Sequence, residues 1–238
     1  MNLVLLEQAE MSMGCNVVLS GRRYEHVKTV HRAKVGDSLR VGVVDGCMGE
    51  AVVTRIDDRE VQLSVGELTE VAPAPLPLVV CVALPRPPTL NKVLQQLTAM
   101  GIKRFHFFHS RRVEKSFWQS HALGDDEVGR QLRLGLEQGR DTRMPQVQWH
   151  RGFRAFVEEA VPSLLETVTA GYFAHVGAGR PCPSTAEETL VVVGPEGGFV
   201  PYEVTRLEEA GLGGVGLGPR PLRVETACVS LAARVGLP

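Results

Sequence analysis

Four apolar residues run directly into a glycine-rich turn in Leu190-Val191-Val192-Val193-Gly194-Pro195-Glu196-Gly197-Gly198-Phe199. Three of the four are β-branched, which predicts a short strand buried on both faces. The consecutive glycines permit positive φ and leave the backbone open to another molecule. A helix is expected from Pro201, with Glu203 in its first turn. A strand, a glycine turn and a helix in this order are typical of a ligand site at the carboxyl end of a parallel sheet.

The turn by itself is also consistent with a tight βα connection that binds nothing, because glycine marks turns of every kind. It lacks the Gly-Lys-Ser/Thr of a Walker A motif, and it does not match the G-x-G-x-x-G dinucleotide fingerprint. The sequence therefore disfavours a nucleotide-phosphate enzyme.

A second stretch strengthens the prediction of a ligand site: Leu217-Gly218-Pro219-Arg220-Pro221-Leu222-Arg223-Val224-Glu225-Thr226-Ala227. It follows another apolar run, Gly214 to Leu217, and opens a final helix that we expect to reach Val235. Two glycine-bearing turns after two consecutive strands are expected to face one ligand from neighbouring strand ends.

Both stretches, in this order and spacing, resemble the RsmE-type 16S ribosomal RNA (uracil-N3) methyltransferases of the SPOUT superfamily. The resemblance implies S-adenosylmethionine as cofactor, methylation of a uridine N3 in the 16S ribosomal RNA of the small ribosomal subunit, and a homodimer. It also implies an α/β fold with a small N-terminal PUA-like β-barrel. The C-terminal part would be a SPOUT-type α/β domain with a parallel sheet and a deep trefoil knot.

Two domains are predicted: a PUA-like, RNA-binding β-barrel over residues 1–71 and a SPOUT methyltransferase domain over residues 72–238. Three short β-rich runs favour a small barrel or sandwich at the start of the chain: Ser38 to Val44, Gly49 to Ile56 and Glu60 to Val65. Asp45-Gly46 predicts a hairpin between the first two runs. Alternating prolines at 73, 75 and 77 predict a semi-rigid linker.

Strands and helices alternate from residue 78 onwards, which favours a mostly parallel sheet with helices on both faces. Strands are expected at 78–84, 102–108, 147–149, 171–176, 189–193 and 214–217. Helices are expected from a Thr89 cap to Gly101, at 125–139 and at 153–168.

The cofactor site implied by the resemblance consists of the two glycine turns, whose backbone N–H and C=O groups can meet an adenine edge and ribose hydroxyls. Its expected residues are Gly194, Pro195, Glu196, Gly197, Gly198, Leu217, Gly218, Leu222 and Thr226. Orientation of the reactants and stabilisation of charge on the base are expected to supply most of the catalysis.

Catalytic roles follow from the chemistry of a uracil imide, which must lose a proton and develops negative charge. Arg223 or Arg220 is expected to stabilise that anion with its guanidinium group. Glu225 or Glu196 is expected to accept the proton if burial raises its pKa. The alternative roles are structural: a helix-start carboxylate for Glu225 and a turn brace for Glu196.

Positive charge is concentrated in the middle of the chain. The formal net charge is −1, yet residues 86–154 carry 13 Lys and Arg against 6 Asp and Glu. Such a surplus can hold a phosphate backbone, and scattered solvated charges would give the same count. The predicted RNA-binding residues are Arg22, Arg23, His31, Arg32, Lys34, Arg111, Arg112 and Arg140.

Two of the segments that contain these residues resemble family segments and also have plainer interpretations. Residues 22–37 resemble the His…Val-x-Arg…Gly-Asp segment of the PUA-like domain, and the alternative is a solvated edge with a turn at Gly36-Asp37. Arg140 lies in Glu137-Gln138-Gly139-Arg140, which resembles the family's Glu-Gln-x-x-Arg segment and is alternatively an ordinary helix end.

The family pattern is not complete in this chain. Its Lys-x-Thr-Glu-Leu-Gly reads Gln96-Leu97-Thr98-Ala99-Met100-Gly101, so Gln96 replaces a lysine and Ala99 replaces a carboxylate. The preceding loop, residues 85–88, is rich in proline. Because these departures concern the substrate side, the alternative function is a non-catalytic ribosomal RNA-binding or assembly protein on the same scaffold.

The five cysteines are odd in number, widely spaced and never in C-x-x-C, which argues against a disulfide framework or a zinc site. No metal site is predicted, because no His, Asp or Glu cluster has convincing ligand spacing. No apolar run approaches the ~20 residues needed to cross a bilayer, and no signal peptide is evident. We therefore expect a cytoplasmic protein without a membrane partner.

Overall fold

The computed structural model describes residues 2–11 and 14–236, and the chain divides into two compact units. The first consists of Met1–Ala74 together with Arg133–Met144, and the second consists of Pro75–Leu132 together with Pro145–Pro238. Residues 71–77, which contain the three alternating prolines, form no helix or strand. The functional division into residues 1–71 and 72–238 stays a prediction.

The first unit is built on a five-stranded sheet. Its elements are β1 (Val4–Leu6), α1 (Gln8–Met11), β2 (Asn16–Ser20), α2 (Gly21–His26), a π-helical turn (Val27–His31), β3 (Ser38–Val43), β4 (Met48–Ile56) and β5 (Glu60–Glu70). The strand order is β1-β3-β4-β5-β2, with β1 and β3 parallel and the other pairs antiparallel. The sheet curls into a half-barrel, and bulges between β4 and β5 favour that curvature.

Sequence alternation explains this unit. Buried and exposed residues alternate along β2, and the buried side of the sheet includes Val53, Val61 and Leu63. The predicted hairpin is confirmed: β3 and β4 pair across Asp45-Gly46, with Asp45 at φ 57° and the Gly46 N–H bonded to the Val43 carbonyl at 2.8 Å. The predicted barrel is found as a half-barrel. Its edge strands, β1 and β2, stand at opposite ends of the strand order and do not pair with each other.

The second unit contains a six-stranded sheet in which every pair of neighbouring strands is parallel. Its elements are β6 (Leu78–Ala83), α3 (Pro87–Ala99), β7 (Arg104–Phe108), two 3-10 turns (Lys115–Gln119 and His121–Leu123), α4 (Asp125–Gly139), β8 (Gln146–His150), α5 (Phe153–Ala155), a π-helical turn (Phe156–Ala160), α6 (Val161–Leu165), β9 (Ala170–Ala174), β10 (Thr189–Val193), α7 (Pro201–Glu209), β11 (Gly213–Val215) and α8 (Val224–Gly236). The strand order is β11-β9-β10-β6-β7-β8.

All residues of β6 and β10 are buried, as their continuous apolar runs predict. Two expectations were wrong. The helix predicted to follow a Thr89 cap begins at Pro87 with Arg86 as its N-cap residue, because proline fits the first helical positions, where no N–H is needed. The strands β10 and β11 are also not neighbours, since β9 lies between them.

Helix α4 has the predicted limits, and its second half belongs to the first unit. There Leu136 is fully buried in a small cluster with Leu3, Leu5, Val44 and Met48. Among the helices of the described residues, none has the length and apolar character needed to cross a bilayer.

His106 on β7 provides a pH-dependent element of the second unit. It is 5% exposed, and its Nδ1 lies 3.0 Å from Nε2 of His150 on β8. Burial, reinforced by the positive charge of His150 and Arg104, lowers the pKa of His106 to about 4. An unfolded histidine titrates near pH 6.5, so the unfolded chain binds more protons than the folded chain between these values.

We therefore predict that the unfolding free energy of this unit falls by up to about 2 kcal/mol between pH 7 and pH 5. Urea unfolding followed by tryptophan fluorescence measures it, because Trp118 and Trp149 both lie in the second unit. His106→Gln should make the pH dependence less steep, and the exposed His121→Gln should leave it unchanged. An equally steep dependence in His106→Gln would contradict the prediction.

Candidate active site

The first glycine turn follows β10 and has the geometry that its sequence predicts. The Gly198 N–H donates to the Pro195 carbonyl at 2.8 Å, and Gly198 has a φ of 72°. A residue with a Cβ is strained at this φ. No heavy atom lies within 4 Å of the position that a Cβ on Gly198 would take. The turn therefore leaves open backbone next to the start of α7.

A buried carboxylate holds this turn against a neighbouring loop. Glu203, in the first turn of α7, is 2% exposed and accepts the Val200 N–H at 3.0 Å and the Arg111 N–H at 2.8 Å. The next residue, Arg112, donates from Nη1 to the Gly197 carbonyl. A Cβ on Gly197 would lie only 2.9 Å from the Arg112 Cδ. Glu203 thus connects the loop after β7 to the glycine turn.

The second glycine turn, residues 217–223, lies between β11 and α8. Gly218 has a φ of 113° and open space where a Cβ would be. The segment after β9 runs alongside this region, because the His175 N–H donates to the Val215 carbonyl at 3.0 Å and the Gly216 N–H donates to the Arg180 carbonyl at 2.8 Å. Three loops, after β9, β10 and β11, therefore meet at one edge of the sheet.

These three loops enclose a cleft of about 350 Å³, which we call the cofactor cleft. Eight of the nine predicted cofactor residues line it: Gly194, Pro195, Glu196, Gly197, Gly198, Leu217, Gly218 and Leu222. Thr226 is exposed and is not among the lining residues. The lining also includes residues that sequence reasoning missed: Ala174, His175, Val176, Phe199, Val224 and Ala227. Its glycine backbone and apolar walls suit a nucleoside-sized ligand.

A second cavity of about 490 Å³ adjoins the cofactor cleft, and we call it the substrate cavity. Of the four candidate catalytic residues, Arg223 and Glu225 line the substrate cavity, Arg220 lines the cofactor cleft and Glu196 lines both. Arg86 and Lys92, which sequence reasoning missed, also face the substrate cavity. The structure therefore brings all four candidates to two adjoining cavities.

Both candidate carboxylates are engaged with neighbouring groups. Glu196 Oε1 accepts the Arg86 backbone N–H at 3.2 Å and lies 3.6 Å from Arg86 Nε. Glu225 Oε1 lies 3.4 Å from Lys92 Nζ. A hydrogen bond from its own backbone N–H, together with Lys92 and Arg223, lowers the pKa of Glu225 despite burial. A proton acceptor at Glu225 was expected to have a raised pKa, and the structure gives a lowered one.

The predicted RNA-binding residues of the first unit have different environments. Arg22 forms a two-bond ion pair with the buried Glu137, at 2.7 and 2.9 Å, and Arg23 pairs with Glu10 and the Leu5 carbonyl. Both guanidinium groups therefore have structural partners. His31, Arg32 and Lys34 are exposed on the helical segment and the turn that follows it.

The remaining three predicted RNA-binding residues are also exposed. The Arg111 backbone is held by Glu203, whereas the Arg112 side chain faces the cofactor cleft. Arg140 directly follows α4 and has a φ of 53°, as the helix-end interpretation expects. RNA binding by the eight residues stays a prediction. In the described part of the chain, no group of three His, Cys, Asp or Glu side chains is placed to hold a metal ion.

The chain resembles known proteins over both of its units. The family model described as an RNA methyltransferase domain matches residues 72–236. The chain belongs to the RNA methyltransferase family. The matched residues include both glycine turns and every residue that lines the cofactor cleft and the substrate cavity.

Individual relatives match nearly the whole chain. A protein named ribosomal RNA small subunit methyltransferase E from Treponema pallidum is 26% identical and covers 99% of this chain and 90% of its own length. A protein of the same name from Mycobacterium bovis is 28% identical, and the match covers 94% of this chain and 87% of its own length. These matches confirm the resemblance to RsmE-type methyltransferases.

A solved structure supports the same fold. The ribosomal RNA small subunit methyltransferase E of Neisseria gonorrhoeae, described as bound to S-adenosyl methionine, superposes with a TM-score of 0.69 at 20% identity. The match covers 98% of this chain and 95% of that chain.

We predict that Glu203→Gln lowers the unfolding free energy of the second unit by about 1–3 kcal/mol, because the amide NH₂ must face one of two backbone donors. Tryptophan-detected urea unfolding measures this change. Glu208→Gln is the matched control, since Glu208 lies on the same helix and is exposed. Equal stability of the two variants would show that the Glu203 carboxylate does not hold the loops.

Proposed function

We propose that this protein transfers the methyl group of S-adenosylmethionine to a uridine N3 in the 16S ribosomal RNA of the small ribosomal subunit. The observation that carries the proposal is the meeting of three strand-end loops around one cleft, within residues that match an RNA methyltransferase domain. The names of the relatives support the ribosomal RNA of the small subunit as the substrate class. The uridine N3 rests on the sequence resemblance.

The cofactor cleft fits S-adenosylmethionine by the chemistry of its walls. Bare backbone at Gly198 and Gly218 can approach an adenine edge or ribose hydroxyls without a side chain in the way. Val193, Phe199 and Leu217 supply apolar surface for the rings. The volume of about 350 Å³ lies within the usual range for small-molecule sites. When bound there, the cofactor supplies an electrophilic methyl group on a sulfonium.

The chain's own residues orient the base and stabilise its charge. Arg223 in the substrate cavity, with Arg220 at the cofactor cleft, can hold the anionic edge of a deprotonated uracil through planar guanidinium groups. Glu196 braces the glycine turn against the Arg86 backbone. Glu225 contributes a carboxylate in the first turn of α8, next to Lys92.

RNA binding is proposed for the first unit, whose PUA-like character comes from the resemblance. The exposed His31, Arg32 and Lys34 are its best-placed contacts, because Arg22 and Arg23 are paired within the unit. We also propose a deep trefoil knot and a homodimer, as the resemblance implies. A cytoplasmic location agrees with five free cysteines, all of them within the described residues.

A methyl-transfer assay tests the function. Small ribosomal subunits from cells that lack this protein are incubated with the protein and radiolabelled S-adenosylmethionine, and the RNA is analysed by mass spectrometry. We expect a single 3-methyluridine in 16S ribosomal RNA. Gly197→Val should weaken cofactor binding at least tenfold in a calorimetric titration, about 1.4 kcal/mol, because its side chain must displace Arg112, which also lines the cleft.

Gly152→Val is the matched control, because a Cβ at Gly152 meets no atom within 4 Å. Binding of subunits without methyl transfer would favour the non-catalytic RNA-binding alternative. Methylation at another atom would refute the uridine N3 assignment while keeping the enzyme class.

A further inference from the structure

Charged side chains of both signs line the substrate cavity. Three cationic side chains line it, from Arg86, Lys92 and Arg223, together with the carboxylates of Glu196 and Glu225. The lining therefore carries one net positive charge. It shares Glu196, Pro221, Leu222 and Val224 with the cofactor cleft, so a group bound in it borders the cleft directly.

Neither carboxylate of the cavity is well suited to remove a proton. Glu196 accepts a backbone N–H from the loop before α3. Glu225 has a lowered pKa, and a carboxylate that holds its charge more firmly is a weaker base. The cavity is thus better built to hold a negative charge on its ligand than to accept a proton from it.

Lys92 is a further cation, beside Arg223, that can meet such a charge. It lies on α3, a helix that packs against α8, and its ammonium is 3.4 Å from Glu225 Oε1. Charge-assisted N–H···O bonds are usually 2.7–2.9 Å long, so this pairing is loose. An ammonium has three donors, and its flexible four-carbon stem lets it turn towards a second acceptor.

We propose that the substrate cavity receives the target uracil and that Lys92 is a catalytic residue whose ammonium stabilises the deprotonated imide. This assignment rests on the proposed function. The N3–H bond breaks, its electron pair stays on the ring and spreads over the two carbonyl oxygens, and the proton passes to water or hydroxide. The ammonium donates to one of those oxygens, which lowers the pKa of the imide and raises the reactive fraction at neutral pH.

Several charged groups set the electrostatics around Lys92. Glu225 and Arg223 face it from the start of α8 and the turn before it, and Arg86 and Glu196 line the same cavity. Glu127 on α4 bonds to Asn91, the preceding residue on α3, and to Arg130. These groups stay in place when the Lys92 charge alone is removed, so the site should become less favourable to a negative charge on the base.

The test is the pH dependence of single-turnover methyl transfer to small ribosomal subunits from cells that lack the protein. Wild-type rates should rise with pH up to the apparent pKa of the bound imide. Lys92→Met should raise that apparent pKa by about 1 unit, which lowers the rate about tenfold at pH 7 and leaves the plateau at high pH nearly unchanged. Lys92→Arg should keep most of the wild-type profile.

Two further variants separate this role from others. Glu225→Gln removes a negative charge near the base, so it should lower the apparent pKa. A general base at Glu225 would instead make the rate fall by about 100-fold or more at every pH. Lys115→Met is the matched control, because Lys115 is exposed in the same unit and lines neither cavity.

Calorimetric titration with S-adenosylmethionine provides a readout independent of activity, and Lys92→Met should bind it with wild-type affinity. A uniform loss of rate at all pH values, or a rate equal to wild type throughout, would overturn the role of Lys92 and leave the proposed function intact. A wild-type protein that binds the cofactor and transfers no methyl group would refute the proposed function and this assignment with it.

Discussion

The architecture of the site depends on one buried carboxylate. Glu203 satisfies two backbone N–H groups from different loops, Val200 before α7 and Arg111 after β7. Because a buried charge is tolerated only when it is hydrogen-bonded, this arrangement fixes both loops at once. It places Arg112 so that its stem lies over Gly197 and its guanidinium meets the Gly197 carbonyl. One wall of the cofactor cleft therefore follows from a single side chain.

The parallel sheet supplies the rest of the site. The carboxyl ends of β9, β10 and β11 lie at one edge, and the loops that leave them converge. Glycine matters at two positions, Gly198 and Gly218, where positive φ turns bare backbone towards the cleft. The cleft therefore offers open main-chain groups to a ligand, and Arg112, His175, Glu196 and Arg220 add polar side chains to its lining.

Much of this could be predicted because the relevant signals are local. Continuous apolar runs predicted β6 and β10, Asp45-Gly46 predicted the first hairpin, and the helix expected at 125–139 is α4. The elements that were missed have weak local signals: β1 has only three residues, and the helical segment from Gly21 to His31 reads as a polar stretch. Their stability comes from packing, which a local pattern does not carry.

The other gaps are non-local. No property of residues 170–176 states that β9 pairs with both β10 and β11, so His175 and its neighbours were not recognised as part of the cleft. Lys92 meets Glu225 across 133 residues, which no spacing rule connects. One signal was available: in a parallel sheet, every loop at the carboxyl edge is a candidate for the ligand site.

We propose that the three strand-end loops form one site for the methyl donor. Hydrogen–deuterium exchange with and without S-adenosylmethionine measures it directly, because bound backbone amides exchange more slowly. We expect exchange to slow together at residues 174–176, 194–199 and 217–222. Slowed exchange at only one of these segments, or at a different edge of the sheet, would contradict it.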